Sequence, residues 1–368
     1  MRIAAVNLHW PRPAASSIGK KIIQQTSAWR AAGHEVQFFS HMHAVDNMSD
    51  LVDGRYFIYQ KEKGTLGGIK TEISRSQAAK RLIEAVSDYQ PDIIYLRWAM
   101  YVFPIQNLFR IAPVAVEINT ADIQEHHLLG TAHDLYNHLT RGVILGNASG
   151  LIFATQELMD MPDFSKFQKP GKVVTNSINL DTTPYYPAPN NKPPHLVFIG
   201  THGMPWHGVD KLADLAFRFP DLVIDVVGFD KMSGISELPA NLILHGFQEG
   251  SAYETVLANA DAAIGTLSLH VKGMQEAAPL KVRDCAARGI PCILPYLDRD
   301  FSGMDSALFL QIPNSAGVVL SHGNAIHDFV MQARGKRVAR SLIQGRIDSP
   351  VKEKQRLGFF KTIIAKSH

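Results

Sequence analysis

A proline-rich segment near the middle of the chain separates two stretches that share one alternating pattern. The segment, residues 182–194 (TTPYYPAPNNKPP), carries five prolines and can continue neither a helix nor a central strand. On both sides of it, short β-branched runs alternate with helical stretches, which is typical of a parallel sheet covered by crossover helices. The sequence therefore predicts two α/β domains joined by a linker, and 368 residues suit two domains.

We place the first domain at 1–182, the linker at 183–194 and the second domain at 195–348. A basic helix follows over 349–368, for which a return to the first domain is an open alternative. Predicted helices include 20–32, closed by Gly33, then 77–88, 207–219 and 279–288, with Ser251 and Glu254 as a capping box for a further helix. The predicted strands are 2–8, 35–39, 92–96, 114–118, 150–154, 173–176, 195–200, 222–227, 241–245, 262–266 and 291–294.

Composition and charge narrow the classes of function. The chain is 46% hydrophobic and 19% charged, as in globular rather than disordered proteins, and its formal net charge of +3 does not indicate a nucleic-acid binder. No run reaches the roughly 20 apolar residues of a membrane span. The start of the chain runs into Pro11 and Arg12 without the features of a signal peptide, so we expect a cytoplasmic protein. Cys285 and Cys292 are predicted to be reduced core thiols.

Positive charge is concentrated towards the end of the chain, where only Asp348 and Glu353 oppose it. A solvated helix face and peripheral contact with an anionic membrane on its inner face are both open interpretations. The basic residues are Arg334, Lys336, Arg337, Arg340, Arg346, Lys352, Lys354, Arg356, Lys361 and Lys366.

The segment 272–296 (KGMQEAAPLKVRDCAARGIPCILPY) carries the strongest functional signal. Pro279 suits the first turn of a helix and Gly289 its C-terminal end, so the helix begins near Ala278, Pro279 and Leu280. Free amides at that start favour an anion, and Lys281 and Arg283 would reinforce them. Two carboxylates, Glu276 and Asp284, bracket this positive site. The arrangement suits a ligand with a diphosphate and hydroxyl groups, as a nucleotide sugar has.

The stretch EAAPLKVRD resembles the E-x7-E motif of family 4 retaining glycosyltransferases, in the variant E-x-S-P-L-K-x-x-E, and AARGIPCI resembles the continuation A-x-G-x-P-V-I. The resemblance implies an α/β protein of GT-B fold, with two Rossmann-like lobes facing across a cleft. It also implies that Glu276 contacts the transferred sugar and that Asp284, in place of a second glutamate, holds the ribose hydroxyls.

Further blocks of the second half resemble the same family in the same order. VFIGTHGMPWHGVDKL is similar to the block F-x-G-x-x-x-x-x-K-G, whose basic groups grip the diphosphate, with Thr201 where arginine is common and His207 where lysine is common. Lys281 is the candidate that restores the missing charge. VVTNSINLD resembles the N-G-[IV]-D block. DVVGFD and LILHGFQ match strands whose loops surround the base, which singles out Gly228, Gly246 and Phe247.

The first half has fewer matches. SSIGKK occupies the place of the family's glycine-rich loop, retaining Gly19, and AAGHEVQFFS matches the G-H-x-V strand entry. Where the family often has a catalytic histidine, this chain offers Asn119 or His126, and Arg97 would shape the acceptor side. The histidines around His126 lack the spacing of a metal-ligand set, so no metal is expected.

The resemblance implies a retaining glycosyltransferase that moves a sugar from a UDP- or GDP-sugar to a sugar or lipid-linked acceptor hydroxyl in polysaccharide or glycolipid synthesis. It implies no cofactor, no metal and no nucleic-acid partner. A sugar-nucleotide epimerase and a catalytically idle nucleotide-sugar-binding or scaffold protein are the alternatives. The predicted catalytic residues are Glu276, Lys281 and His207; the predicted donor-binding residues are Asp284, Ala278, Pro279, Leu280, Arg283, Thr201, Gly228, Gly246 and Phe247; Gly19, Asn119, His126 and Arg97 are predicted on the acceptor side.

Overall fold

A computed structural model of the chain describes residues 1–8, 16–44, 51–64, 66–232 and 237–367. The predicted features at Pro11 and Arg12 lie outside the described residues. The strands are β1 (Arg2–Asn7), β2 (Glu35–His43), β3 (Arg55–Tyr59), β4 (Ile93–Arg97), β5 (Val114–Ile118), β6 (Gly150–Phe153), β7 (Gly171–Val173), β8 (His195–Ile199), β9 (Val223–Val227), β10 (Leu242–Gly246), β11 (Ala262–Ile264), β12 (Cys292–Leu294) and β13 (Phe309–Gln311).

The α-helices are α1 (Ser17–Ala31), α2 (Gly67–Tyr89), α3 (Asp122–Leu129), α4 (Thr131–Asn147), α5 (Gln156–Asp160), α6 (Pro162–Ser165), α7 (Asp210–Arg218), α8 (Gly250–Ala258), α9 (Leu280–Ala287), α10 (Val318–Ala333), α11 (Arg340–Ile347) and α12 (Ser349–Ser367). Short 3₁₀ helices occupy Ile105–Arg110, Pro205–His207 and Leu269–Lys272. Among the described residues, no helix is both long enough and apolar enough to cross a lipid bilayer.

The chain divides into two compact units. The first unit combines residues 1–175 with 349–368, and the second is residues 176–348. Residues 176–182, which the sequence analysis placed in the first domain, belong to the second unit because Ile178 donates to the carbonyl of Ile347 (3.0 Å). The prolines of the predicted linker also lie in the second unit, where Asn191 donates to Asp261 (2.8 Å).

The first unit is built on a seven-stranded parallel sheet in the order β3-β2-β1-β4-β5-β6-β7. Consecutive residues of its central strands are apolar and buried, so both faces of the sheet are covered, as in parallel sheets with helical crossovers. Helix α12 packs against α1: Nε1 of Trp29 donates to Glu353 (2.8 Å), and the ring of Trp29 meets Phe360 edge to face. The final helix thus completes the core of the first unit.

The second unit has a six-stranded parallel sheet in the order β10-β9-β8-β11-β12-β13. Helices α7 and α10 close its main core, in which Leu215, Ile224 and Ile326 are buried. The predicted capping box is wrong: α8 begins at Gly250, so Ser251 lies inside its first turn and makes no cap. The edge strands β3 and β13 were not predicted, because they are short and only partly buried.

Candidate functional site

Helix α9 begins where the sequence placed it. Pro279 is the N-cap, with extended backbone (φ −73°, ψ 141°), and no side chain caps the first turn. The carbonyl of Ala278 accepts from Nδ2 of Asn176 (2.7 Å), which fixes the approach of the chain to the helix. The backbone N–H groups that open α9 at Leu280 therefore have no capping side chain and can bind an anion.

Lys281, on the first turn of α9, has a buried ammonium group without a hydrogen-bond acceptor among the described residues. Its Nζ lies 4.6 Å from the centre of the Phe198 ring, a cation–π contact. Burial lowers the pKa of Lys281 to about 7. An ammonium group in this state gains most from an anionic ligand, because no carboxylate in the described part of the chain accepts a hydrogen bond from it.

His207 lies beside Lys281 and is buried. Its Nδ1 accepts from the backbone N–H of Thr201 (3.1 Å), so the ring proton sits on Nε2. Burial, and the charge of Lys281, lower the pKa of His207 to about 2. His207 is thus a neutral hydrogen-bond donor and not a replacement for the charged lysine that is common at this place in the family.

Arg283 departs from its predicted role. Its side chain is fully buried, and Asp298 accepts two hydrogen bonds from it (2.6 and 2.9 Å) while Asp300 accepts a third (2.6 Å). Its Nε donates to the carbonyl of Asn176 (3.0 Å). Every guanidinium nitrogen therefore bonds to a protein oxygen, and the prediction that Arg283 reinforces the anion site is corrected: it stabilises the loop after β12.

The two predicted carboxylates differ in their surroundings. Glu276 is buried and its Oε1 accepts from Nε of Arg299 (3.0 Å). Asp284 accepts from the hydroxyl of Tyr253 (2.6 Å) and from Nη1 of Arg288 (2.7 Å), so both of its oxygens have partners within the second unit. A ribose contact by Asp284 stays a prediction, and these partners, which the sequence analysis did not find, would orient its carboxylate.

Gly228 shows why this part of the second unit needs glycine. Its φ is +95°, and a Cβ there would lie 2.1 Å from the carbonyl oxygen of Gly200. Gly246 also has positive φ, +66°, and accepts from the N–H of Gly228 (2.7 Å). Phe247 is 71% exposed and Thr201 is exposed, so both are accessible to a ligand.

No protein-family model matches the chain, and no curated protein matches its sequence. Solved structures do match along nearly the whole chain. The apo form of the lipopolysaccharide outer core galactosyltransferase WaaB has a TM-score of 0.62 at 14% identity, with 100% of both chains covered. An α-glucosyltransferase in complex with UDP and a DNA 13-mer containing an HMU base has a TM-score of 0.66 at 12% identity, covering 98% of this chain and 99% of that one.

A third similar structure is Anabaena Alr3699/HepE in complex with UDP and glucose, with a TM-score of 0.62 at 13% identity, covering 98% of this chain and 99% of that one. These matches and the two parallel sheets decide the fold. The chain has the GT-B fold.

The first GT-B unit brings two of the predicted acceptor-side residues together. Nη1 of Arg97 donates to Glu117 (3.2 Å), and Nδ2 of Asn119 donates to the same carboxylate (3.0 Å). Lys21, which the sequence analysis missed, donates to both Glu117 (2.8 Å) and Asn119 (3.1 Å). Burial raises the pKa of Glu117, but Lys21, Arg97 and Arg356 outweigh it and hold that pKa well below its usual range.

The remaining acceptor-side predictions lie at different places. Gly19 is buried in the first turn of α1, where its N–H donates to Oγ of Ser16 (3.1 Å), so its role there is that of a capped helix start. His126 lies on α3, and burial lowers its pKa. Across the described ranges, no group of three or more His, Cys, Asp or Glu side chains is arranged to hold a metal ion.

Proposed function

We propose that this GT-B protein is a retaining glycosyltransferase that moves a sugar from a nucleoside-diphosphate sugar, UDP- or GDP-linked, to an acceptor hydroxyl. The observation that carries the proposal is the start of α9, where uncapped backbone amides and the buried, uncompensated ammonium of Lys281 lie within two residues of each other. Both features favour a diphosphate, because the helix start and a lysine each bind anionic oxygens.

Residues of the second unit are assigned to the leaving group and to the transferred sugar. The amides of α9, Lys281 and the Nε2–H of neutral His207 would stabilise the charge that develops on the leaving diphosphate, so no bound metal is needed for that purpose. Glu276 would orient the transferred sugar. The acceptor hydroxyl attacks the anomeric carbon on the face from which the diphosphate leaves, and a diphosphate oxygen takes its proton, so the configuration is retained.

The similar structures suggest which donor nucleotide to test first and which biosynthetic process to propose. The α-glucosyltransferase and HepE structures contain UDP, so uridine nucleotides are the first to test. WaaB is a lipopolysaccharide outer core galactosyltransferase, which supports a role in polysaccharide or glycolipid synthesis with a sugar or lipid-linked acceptor. We propose that this role is cytoplasmic. Contact with an anionic membrane would rest on Lys354, Lys361 and Lys366, the exposed cations of α12, because Lys352 and Arg356 are buried.

Thermal unfolding with UDP and GDP, and turnover of the corresponding nucleotide sugars, test the proposal. At about 100 times its Kd, the correct nucleotide adds about 2.7 kcal/mol to the free energy of unfolding. Glu276→Gln should retain this stabilisation, because the residue is assigned to the sugar, while turnover falls about 100-fold or more, or about 2.7 kcal/mol. Glu237→Gln, at an exposed position, is the matched control.

The same measurements separate the other functions. Conversion of the donor sugar without an acceptor, lost in Glu276→Gln, would indicate an epimerase. Stabilisation by a nucleotide sugar without any turnover would indicate an idle binding protein. Equal turnover in the wild type and in Glu276→Gln would contradict the role assigned to Glu276. Absence of both stabilisation by any nucleotide and turnover would contradict the proposed transferase.

A further inference from the structure

Three neighbouring strands of the first unit end side by side. Asn7 in β1 pairs with Arg97 in β4, and Arg97 pairs with Glu117 in β5. The sheet order changes direction here, because β2 and β3 lie on one side of β1 and the later strands on the other. In open α/β sheets the crevice at such a switch point, beyond the carboxyl ends of the strands, is where ligands bind.

A cluster of buried charges lies at this edge, and we call it the β4–β5 ion cluster. Oε1 of Glu117 accepts from Lys21 and lies 3.6 Å from Nη2 of Arg356, while Oε2 accepts from Arg97 and Asn119. Glu353 is the second carboxylate and pairs with Arg356. Both oxygens of Glu117 are thus fully used within the protein.

The described members of this cluster carry more positive than negative charge. The cations are Lys21, Arg97 and Arg356, and the carboxylates are Glu117 and Glu353, which is an excess of one positive charge. Charge in a buried cluster is unfavourable unless it is compensated. The excess is therefore a reason for the cluster to attract an anion.

Arg97 is the member that an external anion can reach. Its side chain is 21% exposed, whereas those of Lys21 and Glu117 are each 3% exposed. Among the described residues its one hydrogen bond is the Nη1 contact to Glu117, so Nε and Nη2 remain available. A guanidinium group held at one end, with its other nitrogens exposed, suits an oxyanion with two acceptor atoms.

Lys21 supports the same interpretation from inside the cluster. Burial lowers its pKa, Glu117 raises it, and Arg97 and Arg356 lower it again, so that the pKa of Lys21 is about 8. A cavity lined by Asn7, Gln25, Tyr95 and Arg97 has a volume of about 20 Å³, which holds about one water molecule. A larger ligand must therefore lie on the exposed side of Arg97.

We propose that Arg97, with Lys21 and Asn119 behind it, binds an oxyanion carried by the acceptor, so that the acceptor is an anionic sugar rather than a neutral one. This inference rests on the proposed function, because it names the acceptor class of that reaction. Glu117 is a positioning residue, which holds the three side chains in place. Phosphate and carboxylate share the required chemistry, and the experiment distinguishes them.

The test compares three acceptors with one carbohydrate skeleton: the neutral sugar, its phosphate ester and its uronic acid. The wild type should use an anionic acceptor with a KM at least tenfold below that of the neutral sugar. Arg97→Met should raise this KM at least tenfold and should raise the KM of the neutral sugar by a smaller factor. The KM of Arg97→Lys for the anionic acceptor should lie between those of the wild type and Arg97→Met, since lysine keeps the charge and loses the second donor. Arg110→Met, at an exposed position, is the matched control.

Binding provides a readout that does not need turnover. With the donor site saturated by UDP, inorganic phosphate or glucuronate should raise the melting temperature of the wild type and of Arg110→Met, but not of Arg97→Met. The more effective anion identifies phosphate or carboxylate. UDP stabilisation of Arg97→Met itself reports that the variant is folded.

The two proposals fail separately. Donor turnover with equal KM values for neutral and anionic acceptors, unchanged in Arg97→Met, would overturn the anionic acceptor and leave the transferase in place. Absence of UDP stabilisation and of donor turnover would overturn the transferase. If phosphate and glucuronate bind equally well to the wild type and to Arg97→Met, there is no oxyanion site at Arg97. The β4–β5 ion cluster is then a structural feature only.

Discussion

Two buried cations on α9 differ in whether protein groups compensate their charge. On one side, Lys281 has no hydrogen-bond acceptor for its ammonium among the described residues, and its pKa is lowered. On the other, two residues later, Arg283 is surrounded by Asp298, Asp300 and backbone carbonyls, and its pKa stays above the ordinary value despite burial. Removal of a compensated cation leaves buried carboxylates uncompensated, whereas the cost of an uncompensated cation is relieved by loss of its proton or by an anionic ligand.

Replacement of Arg283 is expected to have the largest effect on stability. Arg283→Met removes the guanidinium group from two buried carboxylates, so we expect the free energy of unfolding to fall by about 3–5 kcal/mol in urea denaturation. Adding Asp298→Asn and Asp300→Asn should recover part of the loss, because the uncompensated charges are then gone. Arg334→Met, at a partly exposed position, is the control. A loss no larger than that of the control would show that Arg283 is not structural.

The second test removes Lys281. Lys281→Met should weaken UDP binding about tenfold or more, which is about 1.4 kcal/mol, while the free energy of unfolding without ligand stays the same or rises, because a buried, uncompensated charge has been removed. Titration calorimetry and urea unfolding measure the two effects. Lys336→Met, at an exposed position, should change neither. Reduced stability with unaltered UDP affinity would reverse the roles that we assign to the two cations.

The third test is a pH dependence of stability. The pKa of Lys281 is about 7 in the folded chain and 10.5 ordinarily, so between these values the unfolded chain binds more protons than the folded one. The stability of the wild type relative to Lys281→Met should therefore rise as the pH increases from about 7 to about 10. Urea unfolding of both proteins at several pH values measures the difference. Parallel pH curves would mean that Lys281 titrates normally.

Near-neighbour sequence signals predicted α9 and most strands, but they did not distinguish the role of Lys281 from that of Arg283. The start of the helix follows from Pro279 and its end from Gly289, which are near-neighbour effects that a sequence shows directly. The partners of Arg283 come from the loop after β12, and the fold decides which side chain faces them. Two basic residues on one turn therefore looked equivalent in the sequence.

Long-range contacts also explain what was missed in the first unit. Lys21 and Glu117 are far apart in the chain, and only the pairing of β1 with β4 and β4 with β5 brings α1 to the end of β5. Arg97 was predicted because strand ends are where α/β sites form, and Asn119 because the resembled family often has a catalytic histidine near that place. Nothing in the sequence around them indicated that one carboxylate holds both.

Helix α12 determines the order in which the two units are completed during synthesis. The second unit, residues 176–348, is continuous, whereas the first needs residues 349–368 to cover Trp29 and to supply Glu353 and Arg356. During synthesis on the ribosome, every residue of the second unit emerges before the last part of the first. The second unit can therefore fold before the first is complete, and deletion of residues 349–368 should destabilise the first unit more than the second.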